Sequence, residues 1–199
     1  MSENIINIPQ MLMIGSTGRN SGKTTLATEF IRRWKGTHNI IGLKVTSVLH
    51  RDGTCPRGGH GCGACSNLCG DFEIIEETNA HSQKDTSLLL AAGCTNVYWL
   101  KVMHPSIADG FSKFLEKVPS GALIVCESNS LRRFVKPGIF IMLDNEKSGN
   151  IKDTAQKVIT DADCVIKSDI RDYAAYIIDD IIIDTKPVLK MLYLNEARN

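Results

Sequence analysis

The sequence lacks an excess of charge of either sign. Its 23 basic and 22 acidic residues leave a formal net charge of +1. Such a chain has no broad electrostatic attraction for nucleic acid or for an anionic membrane surface. Long apolar runs are also missing. The longest, such as YIIDDIIID (176–184), are short and are interrupted by aspartate. We therefore expect neither a nucleic-acid partner nor a membrane span.

The N-terminal segment MSENIINIPQ lacks the basic region and apolar stretch of a secretory signal. This favours a cytoplasmic protein, in which cysteines stay mostly reduced. The chain has seven cysteines. Three of them, Cys94, Cys126 and Cys164, stand alone in apolar surroundings, so we expect small buried side chains there. The other four form a cluster, which in the cytoplasm is more typical of a metal site than of disulfides.

Short apolar runs alternate along the chain with longer amphipathic stretches. The pattern predicts strands at 10–15, 39–49, 96–102, 121–127, 138–143 and 164–168. It predicts helices at 22–34, 85–93, 105–118, 150–162 and 170–182. The C-terminal segment KPVLKMLYLNEARN (186–199) could be either an edge strand or a tail. The alternation predicts a single α/β domain over residues 1–199, with a mostly parallel central sheet and helices on both faces in three layers.

The most specific motif follows the first predicted strand. The stretch GSTGRNSGKTT, here called the phosphate loop (residues 15–25), runs from a strand through a glycine-containing turn into a helix. This order is typical of a P-loop, whose backbone N–H groups and helix N-terminus face phosphates. Lys23 supplies a charge for the β- and γ-phosphates, Thr24 a hydroxyl for Mg²⁺, and Thr25 reaches toward the α-phosphate. The predicted nucleotide-binding residues are Gly18, Arg19, Asn20, Ser21, Gly22, Lys23, Thr24 and Thr25.

The phosphate loop departs from the usual pattern at one position. Thr17 stands six residues before Lys23, where the pattern has glycine, and Gly15 and Gly18 lie beside it. A threonine there indicates either a negative φ at this residue or a different path of the loop.

Further segments resemble one family of nucleotide enzymes. NSGKTTLATEFIRRWK followed by IIGLKVTSVLH, then QKDTSLLLAAGCTNVYWL and GALIVCESNSL, resemble the molybdopterin-guanine dinucleotide biosynthesis protein B family over roughly residues 10–168. ESNSL also looks like a region of the metallocenter-assembly GTPases. The resemblance implies a P-loop NTPase that handles metals or cofactors and works as a nucleotide-bridged homodimer. After Glu127 the family usually continues Gly-Phe-Lys, whereas this chain has Ser128, Asn129 and Ser130.

Three further residues are candidates for the nucleotide site. Glu127 ends a predicted buried strand, where parallel-sheet enzymes bind ligands, and its carboxylate can hold Mg²⁺ through water or orient an attacking water. Asp85 suits either a switch region near Mg²⁺ or the N-cap of the following helix. Lys44, inside a predicted strand, suits either an anion contact or a solvated position. We expect Lys23, Glu127 and Asp85 to be the catalytic residues.

The four clustered cysteines are Cys55, Cys62, Cys65 and Cys69, within a glycine-rich insertion at residues 50–71. Two residues between Cys62 and Cys65 let both sulfurs reach one metal. The spacing from Cys62 to Cys69 matches the last three cysteines of a bacterial ferredoxin run, which favours a [4Fe–4S] cluster. Zn²⁺ takes the same four thiolates, so both metals remain open, as does a metal-free redox cluster. The metal has one of two roles: it stabilises the fold of the insertion, or its state is coupled to nucleotide hydrolysis.

These features predict an NTPase that uses Mg²⁺ with GTP, or ATP, and assists a protein partner in assembling or delivering a metal cofactor. Turnover by the protein alone should be slow, because no arginine finger is evident. Arg19, in the phosphate loop itself, is the one candidate for that role. One alternative is a nucleotide-dependent binding module that senses metal or redox state. Another is an ATP-dependent small-molecule kinase or ligase like dethiobiotin synthetase.

Overall fold

A computed structural model describes residues 5–49, 68–145, 151–167, 173–184 and 186–192. Within these ranges seven strands form the main sheet: β1 (Ile6–Ser16), β2 (Ile40–Val48), β3 (Phe72–Glu76), β4 (Asn96–Met103), β5 (Leu123–Glu127), β6 (Val135–Asp144) and β7 (Cys164–Lys167). Their order is β3-β4-β2-β5-β1-β6-β7. All neighbouring strands pair in parallel except β3, which runs antiparallel to β4 at one side of the sheet.

Helices cover both faces of this sheet. They are α1 (Lys23–Trp34), α2 (Asp85–Ala92), α3 (Ile107–Leu115), α4 (Asp153–Gln156) and α5 (Tyr173–Asp179). Buried side chains of α1, α2 and α5 pack in one apolar cluster, and those of α3 and α4 in another on the opposite face. The strands between them are nearly continuously apolar, as strands buried on both faces must be. The prediction of a mostly parallel α/β sheet between two helical layers is confirmed.

The parallel strands end together at one edge of the sheet, here called the carboxyl edge. Strand β1 lies between β5 and β6, so the phosphate loop emerges at the centre of this edge. The connection from β1 through α1 reaches β2 by passing over β5, whereas β6 lies on the other side of β1. Ligands of open α/β sheets bind where successive connections diverge in this way.

Two strands of the main sheet, β1 and β3, differ most from the sequence prediction. β1 begins at Ile6, four residues earlier than predicted, and its pairing with β6 shifts register between Ile8 and Leu12. Pro9 lies inside this irregular stretch and has no N–H to donate, which explains why the segment did not look like a strand. β3 was not predicted at all. It is a short edge strand of five residues, two of which are glutamates, so its apolar signal is weak.

In the C-terminal third, the predictions of two long helices are wrong. The helix expected at 150–162 is only the single turn of α4 and a separate 3₁₀ turn, Ile159–Asp161. The β-branched run Val158-Ile159-Thr160 disfavours its continuation. The helix expected at 170–182 is α5 alone within the described residues, and the isoleucines after it form β8 (Ile181–Ile183), which pairs antiparallel with β9 (Leu189–Met191). The C-terminal segment therefore contributes a strand, β9, which belongs to a two-stranded sheet with β8 and not to the main sheet.

Among the described helices, none is long and apolar enough to cross a bilayer.

Candidate functional site

The phosphate loop joins the end of β1 to the start of α1. Gly22 is the N-cap of α1 and has φ 80° and ψ 14°, a left-handed conformation that suits glycine. Asn20 also has a positive φ, 52°. Two left-handed residues within three positions curl the backbone into a concave turn, and such turns present successive N–H groups to an anion. The N-terminus of α1, a helix of 12 residues, adds its dipole at the same place.

Lys23 is the first residue of α1, and its side chain lies along the phosphate loop. Its Nζ donates to the Oγ of Ser16 at 2.9 Å, and that hydroxyl donates in turn to the carbonyl of Gly18 at 2.8 Å. The Oγ of the buried Ser21 donates to the same carbonyl at 3.0 Å. Ser16 thus connects the ammonium of Lys23 to the turn that precedes it, and Ser21 binds the same carbonyl of that turn.

Thr17 occupies its unusual position without a positive φ, since Asn20 is the one non-glycine residue with positive φ in the described ranges. Its Oγ1 donates to Asp144 Oδ1 at 2.9 Å and accepts from the backbone N–H of Asn145 at 2.8 Å. Its own N–H donates to the carbonyl of Leu143. A glycine could make none of the side-chain bonds, so the threonine fastens the phosphate loop to the end of β6.

Asn129 holds the other side of the loop's first turn. Its Oδ1 accepts from the Ser16 N–H at 2.8 Å and its Nδ2 donates to the Ser16 carbonyl at 2.9 Å. The amide therefore binds both backbone groups of one residue, as a neighbouring strand would. Gly15 makes this approach possible, because a Cβ there would lie 2.7 Å from Asn129 Oδ1. Asn129 stands in the segment that departs from the resembled family.

Thr24, Asp85 and Lys44 meet on the α1 side of the carboxyl edge. Thr24 Oγ1 donates to Asp85 Oδ1 at 3.1 Å, and Lys44 Nζ forms an ion pair with Asp85 Oδ2. The side chains of Lys44 and Asp85 are 28% and 42% exposed, so a ligand can reach them from solvent. Asp85 is the first residue of α2, whose N-cap is Lys84. Of the two roles considered for Asp85, the N-cap is therefore not observed.

Glu127 is the last residue of β5, in register with Ile14 of β1 on one side and Lys44 of β2 on the other. It is only 4% exposed. Within the described part of the chain its Oε1 has no hydrogen-bond partner. A buried carboxylate oxygen without a partner is costly and suggests that a ligand or water normally binds it.

Some of the predicted nucleotide-binding residues have exposed side chains. Thr25 and Arg19 are exposed, although the Arg19 carbonyl accepts from Asn145 Nδ2 at 2.9 Å. Conversely, sequence reasoning missed Lys152, whose Nζ donates to the Gly18 carbonyl and whose N–H donates to the Thr17 carbonyl at 3.1 Å. No local pattern marks such a residue, because its partners lie more than 130 positions away along the chain.

Three of the four clustered cysteines, Cys55, Cys62 and Cys65, lie outside the described residues. Cys69 is described and exposed, three residues before β3. Groups of three or more potential metal-binding side chains do not occur elsewhere among the described residues. The described residues stop at Leu49, just after β2, and resume at Leu68, just before β3. Both ends are at the carboxyl edge, because Phe72 pairs with Val102 near the end of β4.

The isolated cysteines are packed as expected. Cys94 and Cys126 are buried, and Cys164 is half-buried. Burial raises the pKa of the Cys94 thiol to about 12 and that of Cys126 further still, with the charge of Glu127 adding to the effect at Cys126. Thiols with such a raised pKa are neutral at physiological pH and poor nucleophiles. We assign them no chemical role.

No match emerges from comparisons of the chain with protein-family models, with curated proteins or with solved structures. A functional assignment therefore depends on the chemistry of the carboxyl edge. That edge brings the candidates Lys23, Thr24, Asp85 and Glu127 to one region of the sheet, together with Lys44.

Proposed function

We propose that this protein is a P-loop NTPase that binds and hydrolyses a nucleoside triphosphate at the carboxyl edge. The observation that carries the proposal is the bond between Thr24 and Asp85. It joins the phosphate loop to a carboxylate 61 positions away, beside the buried Glu127. A lysine, a hydroxyl and two carboxylates around a concave backbone turn suit a magnesium-bound polyphosphate better than a neutral ligand.

The residues present fit Mg²⁺. This ion prefers oxygen ligands and usually binds through one or two carboxylates together with substrate phosphates. Thr24 Oγ1 and the carboxylate of Asp85 would hold it directly, and Glu127 would hold it through water. Mg²⁺, when bound, would neutralise part of the charge on the β- and γ-phosphates. Lys44, already paired with Asp85, must then share that carboxylate or turn toward the phosphates.

In the proposed reaction, a water oxygen attacks the γ-phosphorus in line with the bond to the β–γ bridging oxygen. That bond breaks, so the products are a nucleoside diphosphate and inorganic phosphate. Glu127 orients the water and accepts its proton, because its buried Oε1 has no hydrogen-bond partner among the described residues. Lys23 and the N–H groups of the phosphate loop stabilise the charge that develops on the phosphate oxygens.

The biological context of the reaction is proposed from the family resemblance. It favours GTP over ATP, a homodimer bridged by nucleotide, and a role in assembling or delivering a metal cofactor such as the molybdenum cofactor to a protein partner. Turnover by the protein alone should be slow, because Arg19 is exposed and its side chain would have to fold back over the phosphates.

Replacing Glu127 by glutamine tests the catalytic role. Glu127→Gln keeps the size of the side chain but removes the proton acceptor, so we expect the hydrolysis rate to fall by about a hundredfold or more. Nucleotide affinity should stay close to that of the wild type. Release of phosphate from GTP and from ATP measures the first quantity, and calorimetric titration measures the second.

Glu116→Gln serves as the matched control, since the Glu116 side chain is exposed and pairs with the exposed Lys113 one turn away. It should leave both quantities unchanged. If Glu127→Gln hydrolyses nucleotide at the wild-type rate, Glu127 is not the catalytic carboxylate. A phosphorylated or ligated acceptor in place of free phosphate would instead support a kinase or ligase.

A second proposed function is metal binding by Cys55, Cys62, Cys65 and Cys69, with the metal responding to nucleotide. The observation that favours coupling is that both ends of the cysteine-bearing segment lie at the carboxyl edge, where the nucleotide candidates are. A [4Fe–4S] cluster and Zn²⁺ both fit four thiolates.

Anaerobic purification followed by metal analysis and a visible spectrum separates these cases. About four irons per chain with broad visible absorption would identify the cluster, and about one zinc would identify Zn²⁺. If chelation of the metal lowers thermal stability but not the rate of hydrolysis, the metal is structural and is not coupled to the nucleotide. Absence of stoichiometric metal would contradict the proposal.

A further inference from the structure

Three consecutive carbonyl groups of the phosphate loop accept hydrogen bonds from residues that follow β6. The Thr17 carbonyl accepts from the Lys152 N–H at 3.1 Å, and the Gly18 carbonyl accepts from Lys152 Nζ. The Arg19 carbonyl accepts from Asn145 Nδ2 at 2.9 Å. Two of these three donors belong to Lys152, which lies immediately before α4 in a segment anchored by the buried side chain of Ala155.

Fixing these carbonyls also fixes the N–H groups of the same peptide units. A peptide unit is planar and trans, so its N–H points opposite to its C=O. When the carbonyls of Thr17, Gly18 and Arg19 point toward Lys152 and Asn145, the N–H groups of Gly18, Arg19 and Asn20 must point away from them. Successive N–H groups on one side of a turn form the kind of concavity that binds phosphate.

We infer that Lys152 is a positioning residue of the phosphate-binding site, acting through the peptide units of the phosphate loop without contacting the phosphates. The inference rests on the proposed nucleotide-binding function and names a residue that no motif marks. Its ammonium binds the Gly18 carbonyl, which also accepts from the hydroxyls of Ser16 and Ser21. The positive charge makes Lys152 the strongest of these donors, because charge-assisted bonds exceed neutral ones.

Such a role has a distinctive consequence for affinity. The N–H groups of the loop bind phosphates that the diphosphate and the triphosphate share. If these N–H groups are less well oriented, both nucleotides lose hydrogen bonds to the loop. Loss of Lys152 should therefore weaken binding of both nucleotides by a similar factor, and kcat should fall as well, because the same N–H groups stabilise the charge that develops during hydrolysis. A lysine that touched the γ-phosphate would instead weaken binding of the triphosphate alone.

Lys152→Met removes the ammonium and keeps the apolar stem. We expect about tenfold weaker binding of GDP and GTP alike, the size of effect given by loss of one charged hydrogen bond. Lys152→Gln, which keeps a neutral donor, should lie between this variant and the wild type. The control is Lys157→Met, because Lys157 is an exposed lysine in the same segment. Calorimetry, kcat and the melting temperature are measured for all four proteins.

A second measurement needs no nucleotide. In ¹⁵N-labelled protein, Lys152→Met should shift the amide resonances of Gly18, Arg19 and Asn20 and speed their hydrogen exchange, whereas Lys157→Met should not. If these amides are unchanged, the inference is wrong even when nucleotide binds. Equal affinities for Lys152→Met and Lys157→Met, or a loss confined to GTP, would also overturn it. If the wild-type protein binds no nucleotide, the proposed function fails, and the amide measurement still decides the role of Lys152.

Discussion

At the scale of single residues, Glu127 is the side chain whose environment most needs explanation. It is 4% exposed, lies between two parallel strands, and has an oxygen that no group in the described ranges satisfies. Burying a carboxylate in this way lowers the free energy of unfolding unless a ligand compensates. We therefore expect Glu127→Gln to melt no lower than the wild type although it loses activity, a trade-off common at active sites.

The catalytic candidates could be predicted from sequence because each lies next to a local signal. Lys23 and Thr24 belong to the glycine-containing motif, and Glu127 ends an apolar strand. Asn129 and Lys152 carried no comparable signal, since the contacts of Asn129 with Ser16 span 113 positions and depend on the folded sheet. Residues that position a loop through tertiary hydrogen bonds are therefore missed by pattern analysis.

At the scale of elements, the junction of β1 with the phosphate loop is held by close packing as well as by hydrogen bonds. Gly15 is the position at which three side chains converge. A Cβ there would lie 2.7 Å from Asn129 Oδ1, 3.0 Å from Phe140 and 3.1 Å from Met142. Since Phe140 and Met142 belong to the buried core, they have little room to move.

Gly15→Ala should therefore lower the free energy of unfolding by about 1–3 kcal/mol, the usual cost of overpacking a core. It should also weaken nucleotide binding, because Asn129 would be pushed from Ser16. Gly36→Ala is the control, since a Cβ at Gly36 would meet no atom within 4 Å. Denaturant unfolding of both variants checks the difference. Equal stability of the two would show that Gly15 is not required at this junction.

The elements that sequence reasoning predicted best are the long, strongly patterned ones. Helix α1 and strands β2 and β4 were placed within a residue or so of their observed ends. The failures, β3, α4 and the hairpin of β8 with β9, are short elements whose conformation depends on neighbours. Intrinsic preferences are too weak to determine a three- to five-residue element without its tertiary contacts.

At the scale of the whole molecule, the topology brings together the candidates that the sequence scatters. The fold class could be predicted because alternating strands and helices with fully apolar strands favour one architecture. The identities of the nucleotide and of the metal that we propose could not be predicted, because neither follows from the hydrophobic pattern. The described residues on either side of the cysteine-bearing segment lie at the carboxyl edge, and this position is the reason for proposing that its metal responds to nucleotide.

The central claim is that the phosphate loop binds a nucleoside triphosphate through Lys23. Calorimetric titration of wild-type protein and Lys23→Ala with Mg²⁺·GTP and Mg²⁺·ATP tests it most directly, with the exposed Lys113→Ala as control. We predict that wild type and Lys113→Ala bind at least one nucleotide equally well, whereas Lys23→Ala binds roughly a hundredfold more weakly or not at all. Binding by Lys23→Ala with wild-type affinity, or no binding by the wild type, would contradict the claim.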